Sequence, residues 1–94
     1  MNKPKTAKQI ERHLKGVANH RRIEILFLIA KNDGITLEKI AEALNCNFKT
    51  ISEHTRRLVQ AGLVNKKYRG REVAHSLSPY GRNLQSFIKT FQHS

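Results

Sequence analysis

Leu58-Val59-Gln60-Ala61-Gly62-Leu63-Val64-Asn65-Lys66-Lys67-Tyr68-Arg69-Gly70-Arg71-Glu72-Val73-Ala74-His75-Ser76-Leu77 is the stretch whose reading decides the fold. Its opening residues close a helical pattern, and Gly62 stands where a left-handed residue would stop that helix. Beyond Gly62 the period becomes two. Val64, Lys66 and Tyr68 alternate along one predicted strand, and Val73, His75 and Leu77 along another. Arg69-Gly70-Arg71-Glu72 supplies the hairpin tip between them. A helix running straight into a basic hairpin is more specific than either part alone.

Working upstream, Thr36 opens a short helix with Leu37, Ile40, Ala41 and Leu44 on its buried face. Asn45-Cys46-Asn47 is a polar break, and Asn47 suits the N-cap of the next helix. Two short helices joined by a turn of three or four residues make a helix-turn-helix, here helix 36–44, turn 45–47 and helix 48–61. The second such helix docks in the major groove of DNA with its N-terminal half toward base edges. With Ile51, Thr55, Leu58 and Val59 inward, the opposite side shows Lys49, Thr50, Ser52, Glu53, Arg56, Arg57 and Gln60. Asn47, Lys49, Thr50, Ser52, Glu53, His54, Arg56 and Arg57 are therefore the candidate DNA contacts of a recognition helix. Lys49 is a donor for guanine O6 and N7, whereas Arg56 and Arg57 suit the backbone. In the hairpin, Lys66, Lys67, Arg69 and Arg71 are candidates for the minor groove or flanking phosphates. The bland alternatives are a solvated helix face and a basic edge strand protected from aggregation.

Further out, Thr6 and Gln9 read as a capping box, followed by Ile10, Leu14 and Val17 at helical spacing. Asn19 caps a second helix whose Ile23, Ile25, Leu26, Phe27, Leu28 and Ile29 leave almost no polar face, which marks a central core element. Asn32-Asp33-Gly34 ends it. Ser78-Pro79 opens a last helix with Leu84, Phe87, Ile88 and Phe91 along one side. The expected architecture is mostly α with a small β-hairpin, in the order α-α-α-α-β-β-α: a winged helix-turn-helix. We read residues 1–94 as a single domain, with a flexible basic arm at 1–5, the helix-turn-helix at 36–61, the wing at 63–77 and the last helix at 79–92.

Charge narrows the partners. The 94 residues hold 18 Lys and Arg against 7 Asp and Glu, a net +11. The excess lies in two blocks: eight basic and two acidic groups over residues 1–31, and seven against two over 47–72. Such a footprint fits a polyanion, and double-stranded DNA before others. No apolar run approaches the length needed to span a bilayer, about 20 residues. Met1 to Lys5 is basic, but no apolar segment follows as it would in a secretory signal. Cys46 is the single cysteine, which suits a reducing cytoplasm.

Ala41-Glu42-Ala43-Leu44, Thr50-Ile51-Ser52-Glu53-His54 and Leu58-Val59-Gln60-Ala61-Gly62-Leu63-Val64 together resemble the ArsR-type winged-helix repressors. The segment Asn19-His20-Arg21-Arg22-Ile23-Glu24-Ile25-Leu26 is similar to that family's second helix. The resemblance covers residues 15–80 or so. It implies a cytoplasmic homodimer on a near-palindromic operator. It also implies a dimer interface from the first and last helices: Ile10, Leu14, Val17, Leu84, Phe87, Ile88 and Phe91. Two departures stand out. Thr55 occupies a position where the family usually has Leu. Glu53 occupies one where Arg or Gln is common, and it can accept from cytosine N4 or pair with Arg56 or Arg57.

Many members of that family sense metals through paired cysteines or Asp/His pairs, and neither pattern occurs here. His13, His20, His54, His75 and His93 show no ligand spacing. His13 and His20 read as surface positions, His54 as a partly buried hydrogen-bonding residue and His75 as a strand residue. No metal, cofactor or small-molecule effector is expected. No phosphate loop, carboxylate pair or nucleophile triad is present, so no enzyme is expected. The expected function is sequence-specific DNA binding as a dimeric regulator, in the sense of repression. The alternatives are a protein-interaction module and a non-specific architectural protein.

Overall fold

The computed structural model describes residues 3–94; Met1 and Asn2 of the expected arm lie outside the described residues, and residues 3–5 are exposed without regular structure. Five helices and one hairpin follow in order: α1 (Ala7–Val17), α2 (His20–Lys31), α3 (Leu37–Ala43), α4 (Phe48–Gln60), β1 (Val64–Arg69), β2 (Glu72–Leu77) and α5 (Pro79–Gln92). The order is the one expected, and the boundaries follow local chemistry.

Each helix starts on a side chain that satisfies its free N–H groups. Thr6 and Gln9 form the reciprocal capping box of α1. Asn19 Oδ1 accepts from Arg21 and Arg22, Thr36 accepts from Lys39, and Asn47 accepts from Lys49 and Thr50. Ser78 accepts from Gly81, with Pro79 in the first turn of α5. Ser78 also donates to the Gly62 carbonyl at 2.6 Å, tying the start of α5 to the exit of α4.

The core sits under α2, which contributes Ile25, Leu26 and Ile29. Ile40 of α3, Ile51 and Leu58 of α4, and Leu63, Val64 and Leu77 at the base of the hairpin close around it. Each buried aliphatic side chain of this size stabilises by roughly 1.5–3 kcal/mol. α1 lies so close to α4 that a Cβ on Gly16 would collide with the Ala61 side chain. That contact is why a glycine stands in the last turn of α1.

β1 and β2 pair antiparallel from Val64↔Leu77 to Arg69↔Glu72. Ile35 adds a single bridge to His75, with His75 N–H donating to the Ile35 carbonyl at 3.0 Å. The alternation expected along β1 does not produce a buried face. Val64 is buried, but Lys66 and Tyr68 are exposed, because β1 is the outer strand and leaves the core after its first residue, while Ala74, His75 and Leu77 of β2 stay buried. His75 is more than a strand residue: it is 1% exposed, and its Nδ1–H also donates to the Ile35 carbonyl. Burial pushes its pKa down from the ordinary histidine value, so the ring stays neutral near pH 7. His13 departs from the surface position expected of it. It is half-buried in the middle of α1, with Nδ1–H donating to the Ala61 carbonyl at 2.6 Å and its ring stacked on Tyr80.

Thr55 shows what its departure from leucine entails. It is buried in α4, and its Oγ1 has no protein hydrogen-bond partner.

Candidate nucleic-acid interface

The turn between α3 and α4 is set by Asn45, which adopts a left-handed conformation with φ of 49°. Asparagine tolerates that region better than most residues. Cys46 N–H then donates to the Ala41 carbonyl, and Asn47 caps α4. The side-chain oxygen of Asn47 is thus committed to the backbone.

Lys49, Thr50, Glu53, Arg56 and Arg57 stand on the exposed side of α4. Three of them form one cluster. Glu53 accepts from Arg56 Nη2 at 2.6 Å, from Arg56 Nε at 3.2 Å and from Arg57 Nε at 3.3 Å. The Arg56 guanidinium, aided by Arg57, holds the Glu53 carboxyl below the usual carboxylate range. Three- and four-residue spacing on a helix brings these groups together. The face is therefore less cationic than its arginine count, and its arginines are held in defined positions.

Ser52 and His54 sit on the two flanks of α4. Ser52 is half-buried in a small recess with Leu37, Thr55, Arg56, Lys66 and His75, on the wing side. His54 turns toward α2, where its Nδ1 accepts from Arg22 Nε at 3.2 Å. Burial and then the Arg22 charge keep its pKa below the ordinary value. A neutral, committed imidazole positions the helix and has little left to offer a base edge.

The wing turns in two residues, Gly70 and Arg71. Gly70 has φ of 64°, while Arg71 is not in the positive region. Positive φ at the first central residue alone is the pattern of the tight turn in which glycine is favoured there. Lys66, Lys67, Arg69 and Arg71 are all exposed. Strand alternation divides them: Lys66 shares a face with its partner His75, toward α4, and Lys67 and Arg69 share the other.

Of the seven apolar residues expected at a dimer interface, six lie at or near one surface. Val17 does not. It is 5% exposed and belongs to the protomer's own core, because α1 packs on α2 and α4 through its last turn. Leu84 and Ile88 are half-buried against that core. Ile10, Leu14, Phe87 and Phe91 are 46, 47, 55 and 62% exposed. Lys5, Ile10, Leu14, Tyr80, Leu84 and Phe87 line an open, almost wholly apolar groove between α1 and α5.

Three residues with a place in this surface were not singled out from the sequence. Phe48 opens α4 and is half-exposed beside the turn, an apolar group of the kind that contacts a thymine methyl. Arg22 donates to His54 and to the Gly16 carbonyl. Arg12 reaches across to Gly62. Only Phe48 had a local signal, an aromatic at the first exposed position of a helix. The contacts of Arg22 and Arg12 join segments distant in sequence.

Among the described residues no group of three or more His, Cys, Asp or Glu is placed to hold a metal ion. No helix among them is long and apolar enough to cross a membrane.

The MarR family model matches residues 18–69, which takes in α2, the helix-turn-helix and β1. No curated protein sequence matches the chain. Solved structures resemble it throughout. A winged helix-turn-helix DNA-binding domain from Mycobacterium bovis, described as homodimeric and as part of a possible ArsR-family regulator, superposes with a TM-score of 0.82 at 26% identity, over 99% of this chain and 91% of that one. HlyU from Vibrio cholerae gives 0.85 at 22% identity over 98% and 100%. The transcriptional repressor PagR of Bacillus anthracis gives 0.78 at 18% identity over 86% and 93%. The ArsR-type resemblance thus holds at the level of the winged-helix class, while the family whose model matches is a different one. The chain belongs to the MarR family, as the winged helix-turn-helix DNA-binding domain of a transcriptional regulator, and it is a transcription factor, not an enzyme.

Proposed function

We propose that this protein binds a specific near-palindromic operator as a homodimer and represses transcription there. The observation that carries the reading is the continuity of two surfaces. The polar side of α4 runs into a wing whose four cations are all exposed, with Lys66 turned back toward α4. In this reading Lys49, Thr50, Ser52 and Glu53 meet base edges, Arg56 and Arg57 meet phosphates, and Asn47 and His54 hold the helix. Lys67, Arg69 and Arg71 follow the backbone or the adjoining minor groove.

The second copy covers the α1/α5 groove, through Ile10, Leu14, Phe87 and Phe91 with Leu84 and Ile88 beneath them. Four large apolar side chains about half in water are costly for a small monomer. The Mycobacterium bovis domain, described as homodimeric, supports pairing of two copies, and the interface that the ArsR-type resemblance implies supports this arrangement of them. Acting on the chromosome, such a regulator works in the cytoplasm.

Selection of bound sites from random duplexes, with the mass of the free protein measured alongside, tests the proposal. The expected result is a palindrome with half-sites about one helical turn apart, bound by a dimer. Lys49→Ala or Ser52→Ala changes the preferred bases, and Arg71→Ala weakens all duplexes alike. Uniform coating of any duplex would make the protein architectural, and absence of duplex binding at low salt would leave a protein-interaction module.

A further inference from the structure

The wing is one cationic flank of α4, and the structure builds a second on the opposite side. Arg12 and Lys15 of α1, Arg22 of α2 and Arg57 of α4 line one cleft, together with Gly16, Gln60 and Ala61. The four cations come from three helices. Their meeting depends on the close approach of α1 to α4 at Gly16 and Ala61, two residues too small to fill the cleft. Arg22 is fixed there by its bonds to the Gly16 carbonyl and to His54. Lys15 and Arg57 pair with Glu11 and Glu53, which lie outside the lining. Arg12 has no ion-pair partner among the described residues, and no carboxylate lines the cleft.

The two flanks matter because of how a helix fits DNA. An α-helix with its side chains is about 10–12 Å across, and the major groove is about 12 Å wide. Groups projecting from both sides of a seated helix therefore face the phosphates of both groove walls. On α4 the side bearing Ser52 and Arg56 adjoins Lys66 of the wing, and the side bearing Arg57 and Gln60 adjoins this cleft.

We propose that the Arg12–Lys15–Arg22–Arg57 cleft seats backbone phosphate of the DNA strand across the major groove from the wing, so that α4 is clamped from both sides. The inference rests on the reading of α4 as a recognition helix. It adds α1 and α2 to a DNA-binding surface otherwise confined to the helix-turn-helix and the wing.

The test is salt-dependent binding of the full chain to its selected duplex and to an unrelated duplex. Wild type is compared with Arg12→Gln/Lys15→Gln and with Arg12→Lys. Both altered residues are exposed, and a thermal unfolding profile matching wild type confirms that the variants are folded. A phosphate contact predicts a log-log salt slope shallower by about one unit per cation removed. It also predicts an equal fold-loss on both duplexes, unchanged base preference and a slope restored in Arg12→Lys. A slope and affinity equal to wild type would overturn the cleft while leaving the recognition helix standing. A changed base preference would also overturn it, since it would mean base reading. Failure of wild type to bind any duplex would remove both proposals together.

Discussion

The two sides of this molecule carry opposite surface chemistry. On the α3–α4–wing side the exposed groups are mostly Lys, Arg, Thr and Asn, with the carboxylates of Glu38, Glu42, Glu53 and Glu72 among them, and the aliphatic residues are inside. On the α1–α5 side Ile10, Leu14, Phe87 and Phe91 are about half in water along one groove, whose lining carries a single cation, Lys5. Neither surface suits water alone. The first is matched to a polyanion, where the favourable term is counterion release. The second is matched to another apolar face, where the favourable term is removal of area from water. A small domain with one face of each kind is arranged to be joined on one side and to grip on the other.

The largest effect is expected from breaking the apolar side. Leu14→Glu with Phe87→Glu places two charges in the groove without touching the core. Sedimentation should then report a monomer, and operator affinity should fall about a hundredfold or more as the linkage of two half-sites is lost. Unchanged mass would show that this face is not where the copies meet. Next in size is the cationic side. Removing Arg69 and Arg71 together should leave the mass unaltered and weaken every duplex by about tenfold between 50 and 200 mM salt. A loss confined to the preferred site would mean that the wing reads bases.

Two smaller effects sharpen the contrast within the fold. Thr55→Val replaces a buried hydroxyl lacking a protein partner by a methyl group. It should raise stability by about 1 kcal/mol, seen as an increase of about 4–8 °C in Tm, with DNA binding unaltered. No increase would show that the hydroxyl is satisfied in solution. The last concerns acid. His54 and His75 have pKa values held below the ordinary histidine value, with burial as the first cause in both. The folded state then binds fewer protons than the unfolded one, so stability is full above the unfolded histidine value and declines as pH falls through it. Both residues lie on the DNA-gripping side, so hydrogen exchange below pH 6.5 should loosen α4 and the wing before α5. Uniform loosening would remove the distinction.

How much of this was legible in the sequence varies by region. The caps at Thr6, Asn19, Thr36, Asn47 and Ser78 were readable because capping is a contact within three residues. The turn at Asn45 and the exposed cations of the wing were readable for the same local reason. Val17 was not, since the same stripe as Ile10 and Leu14 turns inward only because Gly16 brings the end of α1 onto α4. His75 was not, because its burial depends on Ile35, forty residues away. The MarR assignment was also missed, as the short motifs shared by winged helices say more about the class than about the family.

The sequence by itself determined where the elements begin and end, which side of α4 faces water, and that the protein is matched to a polyanion. These follow from caps, turns, periodicity and net charge, whose causes lie within a few residues or in the sum over all of them. Only the tertiary structure decided that His54 belongs to Arg22. It alone decided that cations of α1, α2 and α4 share one cleft, and that Ile10 and Phe87 share one groove. Those features depend on distances between helices, and a distance between helices is set by what packs at their crossing, here as small a group as the hydrogen on Gly16.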